Sequence, residues 1–157
     1  MPILNYTTTV PVQRTVQQVM SLLALHGASK ILADYDGQGQ VKGLEFLVLT
    51  TQGEVGFRLP VNTEGVYGAL LKAAGKGQVP KTFGKYSRQE QDKEQAKRIA
   101  WRILKDWVEA QMAILDAEMV KMEEIFLPYM MVDNTQTMFQ KFQERGFPQL
   151  TAGEKEG

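Results

Sequence analysis

The residues best suited to chemistry lie between Lys76 and Lys105. Lys76, Lys81 and Lys85 are spread through the run GKGQVPKTFGKYS together with Phe83 and Tyr86, and Arg88, Arg98 and Arg102 follow downstream. Ammonium groups on a loop, beside the free backbone N–H groups of a helix start, suit phosphate oxygens; aromatic faces suit stacking on a nucleobase. Arg58 joins them, because a lone arginine among Phe57 and Leu59 needs a partner. The ligand-binding set expected from sequence is therefore Arg58, Lys81, Phe83, Lys85, Tyr86, Arg88 and Arg102. The competing reading is a solubilising loop followed by helix ion pairs such as Glu94 with Arg98 and Lys105 with Glu109, with Arg98 and Arg102 the more open to a structural role.

Catalytic equipment is sparse. His26 is the only histidine and there is no cysteine, so a nucleophile–base pair would need a serine or threonine that nothing local orients. His26 stands beside Gly27 and reads as a helix C-terminus, where a partly charged imidazole is favourable. Asp34, Asp36 and Gly37 resemble the start of a calcium loop but lack the closing glutamate, which leaves a hairpin turn. Asp116, Glu118, Glu123 and Glu124 read as a solvated acidic turn. The glycine pairs 37/39 and 75/77 continue into no phosphate-loop or dinucleotide pattern. The expectation is a protein that is not an enzyme and carries no metal or cofactor.

Charge is unevenly placed along the chain. Eighteen basic and eighteen acidic residues cancel overall, yet residues 72–105 carry ten basic against three acidic, and residues 106–157 carry four against ten. The middle is +7 and the end −6. Such polarity fits an anionic partner for the middle, a self-complementary assembly, or two regions that face each other in the fold.

These residues need a scaffold, and 157 residues with 43% hydrophobic and 23% charged composition fit one domain, here 1–150, with a polar tail at 151–157. The absence of cysteine favours a reducing compartment. No apolar run approaches the roughly 18 residues of a membrane span, and the start lacks a leader pattern, so a cytoplasmic chain with no membrane partner is expected.

Ile3 to Val12 is rich in threonine and valine and predicts an edge strand. Thr15 is the expected N-cap of a first helix ending at Gly27. Alternation over 31–35, 41–49 and 55–59, broken by turns at 36–39 and 51–53, predicts a three-stranded antiparallel meander. Asn62 or Thr63 caps a short helix over 64–74. After the loop, Ser87 and Glu90 have capping-box spacing and predict a long helix over 88–118. Turning about 100° per residue, its apolar face spans half the circumference or more. A helix near 135–145 closes the fold. The fold class is α+β: an N-terminal β-α-β-β-β-α unit with a small antiparallel sheet, then a long central helix and a short C-terminal helix.

Trp101, Val108 and Met112 widen the apolar face of the long helix beyond what a small sheet covers. They are the expected interface of a homo-oligomer, most simply a two-fold dimer.

The segments NYTTTVP, FRLPV at 57–61, AWRILKDWVEAQMAIL at 100–115 and FLPYM at 126–130 together resemble a family of small uncharacterised proteins encoded by phages, prophages and other mobile elements. Residues 74–85 depart from that pattern and read as a variable insertion. The resemblance implies a genomic setting in a bacterial host, not a mechanism, and it carries over no functional residue; small non-enzymatic proteins in that setting often counter host defence. The function expected is non-catalytic capture of a phosphate-bearing ligand, a nucleotide signal or single-stranded nucleic acid. The alternative is a protein–protein interaction module that oligomerises or docks on a host protein through its long helix.

Overall fold

The computed structural model describes residues 3–80 and 82–151. Lys81 and the tail beyond residue 151 lie outside the described residues. Helix α1 (Val12–Leu25) leads into strands β1 (Ala28–Tyr35), β2 (Val41–Thr50) and β3 (Gly53–Arg58), then helix α2 (Thr63–Gly75). A 3-10 turn at Tyr86–Arg88 opens into the long helix α3 (Gln89–Asp116), followed by α4 (Met122–Ile125), a 3-10 turn at Leu127–Tyr129 and α5 (Met138–Arg145). The class is α+β, as the sequence predicts.

Antiparallel pairing in the order β1-β2-β3 forms the sheet, with Ala33 opposite Leu44 and Phe46 opposite Phe57. Alternation puts Leu44, Phe46 and Val48 of β2 into the core. In the first turn Asp36 Oδ1 accepts from the N–H groups of Gln38 and Gln40 at 2.8 and 3.0 Å. Gly39 takes the left-handed φ of 77° that this turn needs. The free edge of β3 is partly covered: an isolated bridge joins Phe57 to Met130, and the Met131 N–H donates to the Gly56 carbonyl at 2.7 Å.

α3 is packed on two sides. Trp101, Leu104, Val108 and Met112 meet Val16, Val19 and Leu23 of α1, the inner face of the sheet, and Met122 and Phe126. Ala96, Ile99 and Ala100 pack separately on Val66 and Leu70 of α2. Full burial of each large side chain contributes roughly 1.5–3 kcal/mol. Aromatic edges lock the far end, where Trp107 meets Phe126 and Tyr129 edge-on at 5.5 and 5.6 Å.

Several expectations are corrected. No strand forms at 3–11. The segment turns at Asn5, whose φ is 65°, and is tied to α3 by Gln95 Nε2, which donates to the carbonyls of Tyr6 and Thr8. Once those carbonyls are taken by a helix side chain, strand pairing loses its groups. α1 begins at Val12 with Pro11 as N-cap, and Thr15, the expected cap, is buried inside the helix. Ser87 does not cap α3: the 3-10 turn puts Arg88 at the N-cap, with no side-chain cap. α5 starts three residues later than expected, at the box formed by Thr137 and Gln140. The expected interface is interior: Trp101 is 1% exposed, Val108 0% and Met112 2%, all within one chain. Two neighbouring layers cover α3, so the predicted exposed patch does not exist.

Candidate functional site

Lys81 lies outside the described residues, and the other predicted ligand-binding residues separate into two groups. Arg58 belongs to the scaffold. Its Nε and Nη2 reach Glu45 Oε1, both at 2.9 Å, and its Nη1 reaches the Thr135 carbonyl at 3.4 Å. The guanidinium fork thus ties β3 to β2 and to the segment before α5. Arg102 is likewise engaged, since its Nη1 donates to Gln18 Oε1 at 2.6 Å and cross-links α3 to α1. Phe83 is half-buried against the α2–α3 cluster and is an anchor, not an open stacking surface.

Lys85, Tyr86 and Arg88 form the second group. All three are exposed, Tyr86 at 93%, and none has an ion-pair or side-chain hydrogen-bond partner among the described residues. They sit on a loop that is held from beneath. Val79 and Phe83 pack inward, and Gly84 donates its N–H to Asp92 Oδ2 at 2.9 Å. A Cβ on Gly84 would lie 3.4 Å from Leu71, which places this loop against the C-terminal half of α2. Exposed Lys72 and Lys76 close that helix, and exposed Lys93 lies on α3. Exposed cations thus lie on the loop and on both of the helices it is held against.

Among the described residues, the acidic end of the chain does not neutralise these cations. Among the described residues, the ion pairs of the middle stretch are local: Lys97 with Glu94, and Lys105 with Asp106 and Glu109. Asp116 pairs with His26. No ion pair among the described residues joins Lys72, Lys76, Lys85, Arg88 or Lys93 to a carboxylate. The acidic residues near 116–124 do not converge either; among the described residues no three His, Asp or Glu side chains are grouped to hold a metal.

A cleft elsewhere on the molecule was not foreseen from sequence. The first turns of α1, the β1–β2 turn and the middle of α3 enclose a cleft of about 510 Å³, with Tyr35, Gln40, Lys97 and Arg98 on its walls. Its residues come from three separate segments, so no local motif marks it. The two adjacent cations at 97 and 98 are the one visible signal.

Among the described residues, titration is shifted at three places. His26 is raised above its ordinary value of 6.5, first by the Leu22 carbonyl facing Nδ1 and then by Asp116 at Nε2, against a lowering by burial. Asp36 is lowered by the N–H groups of Gln40 and Gln38, and Asp133 by the Thr135 hydroxyl and the N–H groups of Thr135 and Gln136. The two aspartates cap turns. No helix among the described residues is long and apolar enough to cross a membrane. No protein-family profile, curated protein or solved structure matches the chain.

Proposed function

We propose that this is a non-catalytic binding protein that captures a phosphate-bearing ligand on the edge formed by Lys72, Lys76, Lys85, Tyr86, Arg88 and Lys93, with single-stranded nucleic acid as the ligand. The supporting observation is the unpaired charge: Lys72, Lys76, Lys85, Arg88 and Lys93 are exposed, as is Tyr86, and no carboxylate pairs with these cations among the described residues. Separate exposed cations suit an extended polyanion, because successive phosphates reach different side chains while a base stacks on Tyr86. Arg58, Arg102 and Phe83 leave the ligand-binding set, since each is engaged in holding the fold. The setting implied by the resemblance to phage and mobile-element proteins, interference with host defence, fits a capture role.

Fluorescence anisotropy with labelled single-stranded oligonucleotides tests the reading. Binding through about four phosphate contacts gives a slope near −3 in log affinity against log salt. The Lys72→Ala/Lys85→Ala/Arg88→Ala variant reduces that slope and the affinity together, and Tyr86→Ala costs about 1–3 kcal/mol. Equal affinity in the triple variant overturns the proposal.

The alternative, an interaction module, has its own support at a place other than the long helix. Phe139, Phe142 and Phe147 are each more than a third exposed and pack on one another at 5.8 and 6.1 Å. A second copy of the chain would bury these rings. Light scattering then gives a dimer mass that Phe142→Glu halves, whereas a monomer mass throughout removes this reading.

A further inference from the structure

We propose that the cleft between α1, the β1–β2 turn and the middle of α3 is a binding site for a nucleoside monophosphate, with the phosphate at Arg98 and the base against Tyr35. This site shares no residue with the cationic edge and does not rest on the nucleic-acid reading. Its volume of about 510 Å³ falls in the range of small-molecule sites.

One end is built for an anion. Gln95 Oε1 accepts from Arg98 Nε at 2.8 Å, while Gln95 Nε2 donates to the Tyr6 and Thr8 carbonyls at 3.0 and 2.8 Å. The amide thereby fixes the guanidinium beside the segment that enters α1. The Nη groups of Arg98 have no protein partner among the described residues, and they are the pair of donors that phosphate oxygens accept in parallel. Val12 and Gln13 of the first α1 turn form the adjoining wall; that turn has no side-chain cap and no acidic residue. Its partial positive charge adds to that of Arg98.

The other end suits a base. Lys97 Nζ bonds Gln40 Oε1 and Glu94 Oε1, each at 3.0 Å, which holds the β1–β2 turn close to α3. Tyr35, 59% exposed at the end of β1, faces the same cleft as the apolar Met20 and Val41. An aromatic face over an apolar floor, with glutamine amides at hand, accepts a planar heterocycle with polar edges. Glu94 sets the charge limit. It takes up Lys97 and leaves Arg98 as the uncompensated cation, so one phosphate is matched and a longer phosphate chain would meet the Glu94 carboxylate. Walls on three sides exclude an extended strand.

Isothermal titration of the full chain with the monophosphates of adenosine, guanosine, cytidine and uridine, and with inorganic phosphate, tests this. The expected result is saturable binding of at least one monophosphate at roughly 10–100 μM, with inorganic phosphate at least about 10-fold weaker. Arg98→Gln weakens the nucleotide by about 10-fold or more, and Tyr35→Ala lowers it to the affinity of inorganic phosphate. Absence of saturable binding by any monophosphate up to about 5 mM overturns the proposal. So does unchanged affinity in a folded Arg98→Gln protein. Should Arg98→Gln not fold, Tyr35→Ala decides alone, since its side chain is largely exposed: unchanged nucleotide affinity there also overturns it.

Discussion

The backbone N–H of Gly84 donates to the Asp92 carboxylate at 2.9 Å, and Asp92 is only 2% exposed. A buried carboxylate on the first turn of α3 thus holds the loop that carries Lys85 and Tyr86. Asp92→Ala leaves the Gly84 N–H without its acceptor and is expected to cost about 1–3 kcal/mol. Asp92→Asn keeps an acceptor oxygen and should recover most of that loss. Denaturant melts of the two variants check the stability. Oligonucleotide anisotropy checks that Asp92→Ala, in which the loop is released, binds more weakly than Asp92→Asn.

Gly84 itself has φ of 87°, in the left-handed region, and an added Cβ would sit 3.4 Å from Leu71 Cδ2. The contact alone is ordinary, so the backbone decides. Gly84→Ala should lower stability by about 1 kcal/mol or somewhat more, read as a lower denaturant midpoint with unchanged slope. An unchanged midpoint would mean that the loop adopts another conformation in solution.

Sequence reading recovers elements whose signals are local and misses those decided by distant partners. Asp36 to Gly39 reads correctly as a turn because the aspartate supplies its own acceptor, and of the two caps expected for α2, Asn62 or Thr63, Asn62 is the one that caps it, for the same reason. Residues 3–11 carry equally strong strand propensity, but Gln95, almost ninety positions away, takes the carbonyls of Tyr6 and Thr8. Ser87 and Glu90 have the spacing of a capping box, and only the intervening 3-10 turn defeats it. Thr137 and Gln140 show the same spacing and do form one, so that boundary was legible. The site divides along the same line. Lys85, Tyr86 and Arg88 are exposed as a glycine-rich basic loop suggests, whereas Arg58 and Arg102 find partners, Glu45 and Gln18, that only the fold brings near.

Arg102 and Lys85 should therefore behave oppositely. Arg102→Ala removes a charge-assisted bond between α1 and α3 and strands Gln18, at an expected cost of about 1–2 kcal/mol. It leaves oligonucleotide affinity unchanged at a temperature where the variant is folded. Lys85→Ala lowers affinity with no change in melting. A loss of binding in folded Arg102→Ala would return that residue to the site.

His26 links the ends of α1 and α3. Its Nδ1 lies 2.7 Å from the Leu22 carbonyl and its Nε2 3.0 Å from Asp116 Oδ1. Both partners are acceptors, so both ring nitrogens are satisfied only in the doubly protonated imidazolium. The folded pKa is raised. The stabilisation is accordingly complete below the unfolded value of about 6.5 and fades as pH rises through the folded value. Denaturant melts at acidic and alkaline pH should show His26→Ala less stable by about 1 kcal/mol in acid and by less in base. A difference between the two proteins that does not change with pH would show that the ring acts by packing alone.

Trp101, Val108 and Met112 decide what α3 is for. They form a continuous core with Val16, Val19 and Leu23 of α1 and with Phe126, so their width of apolar surface answers to two intramolecular layers and not to a partner. Trp101→Ala should then cost about 3–5 kcal/mol, because the cavity left between α1, the sheet and α3 cannot collapse without moving all three. That loss is independent of protein concentration if it is internal. If the tryptophan instead lay at a subunit boundary, its removal would shift an association equilibrium and the apparent loss would grow with dilution. Urea melts of wild type and Trp101→Ala over a wide range of protein concentrations separate the two: a constant difference in midpoint is expected, and one that changes with concentration would put Trp101 back at an interface.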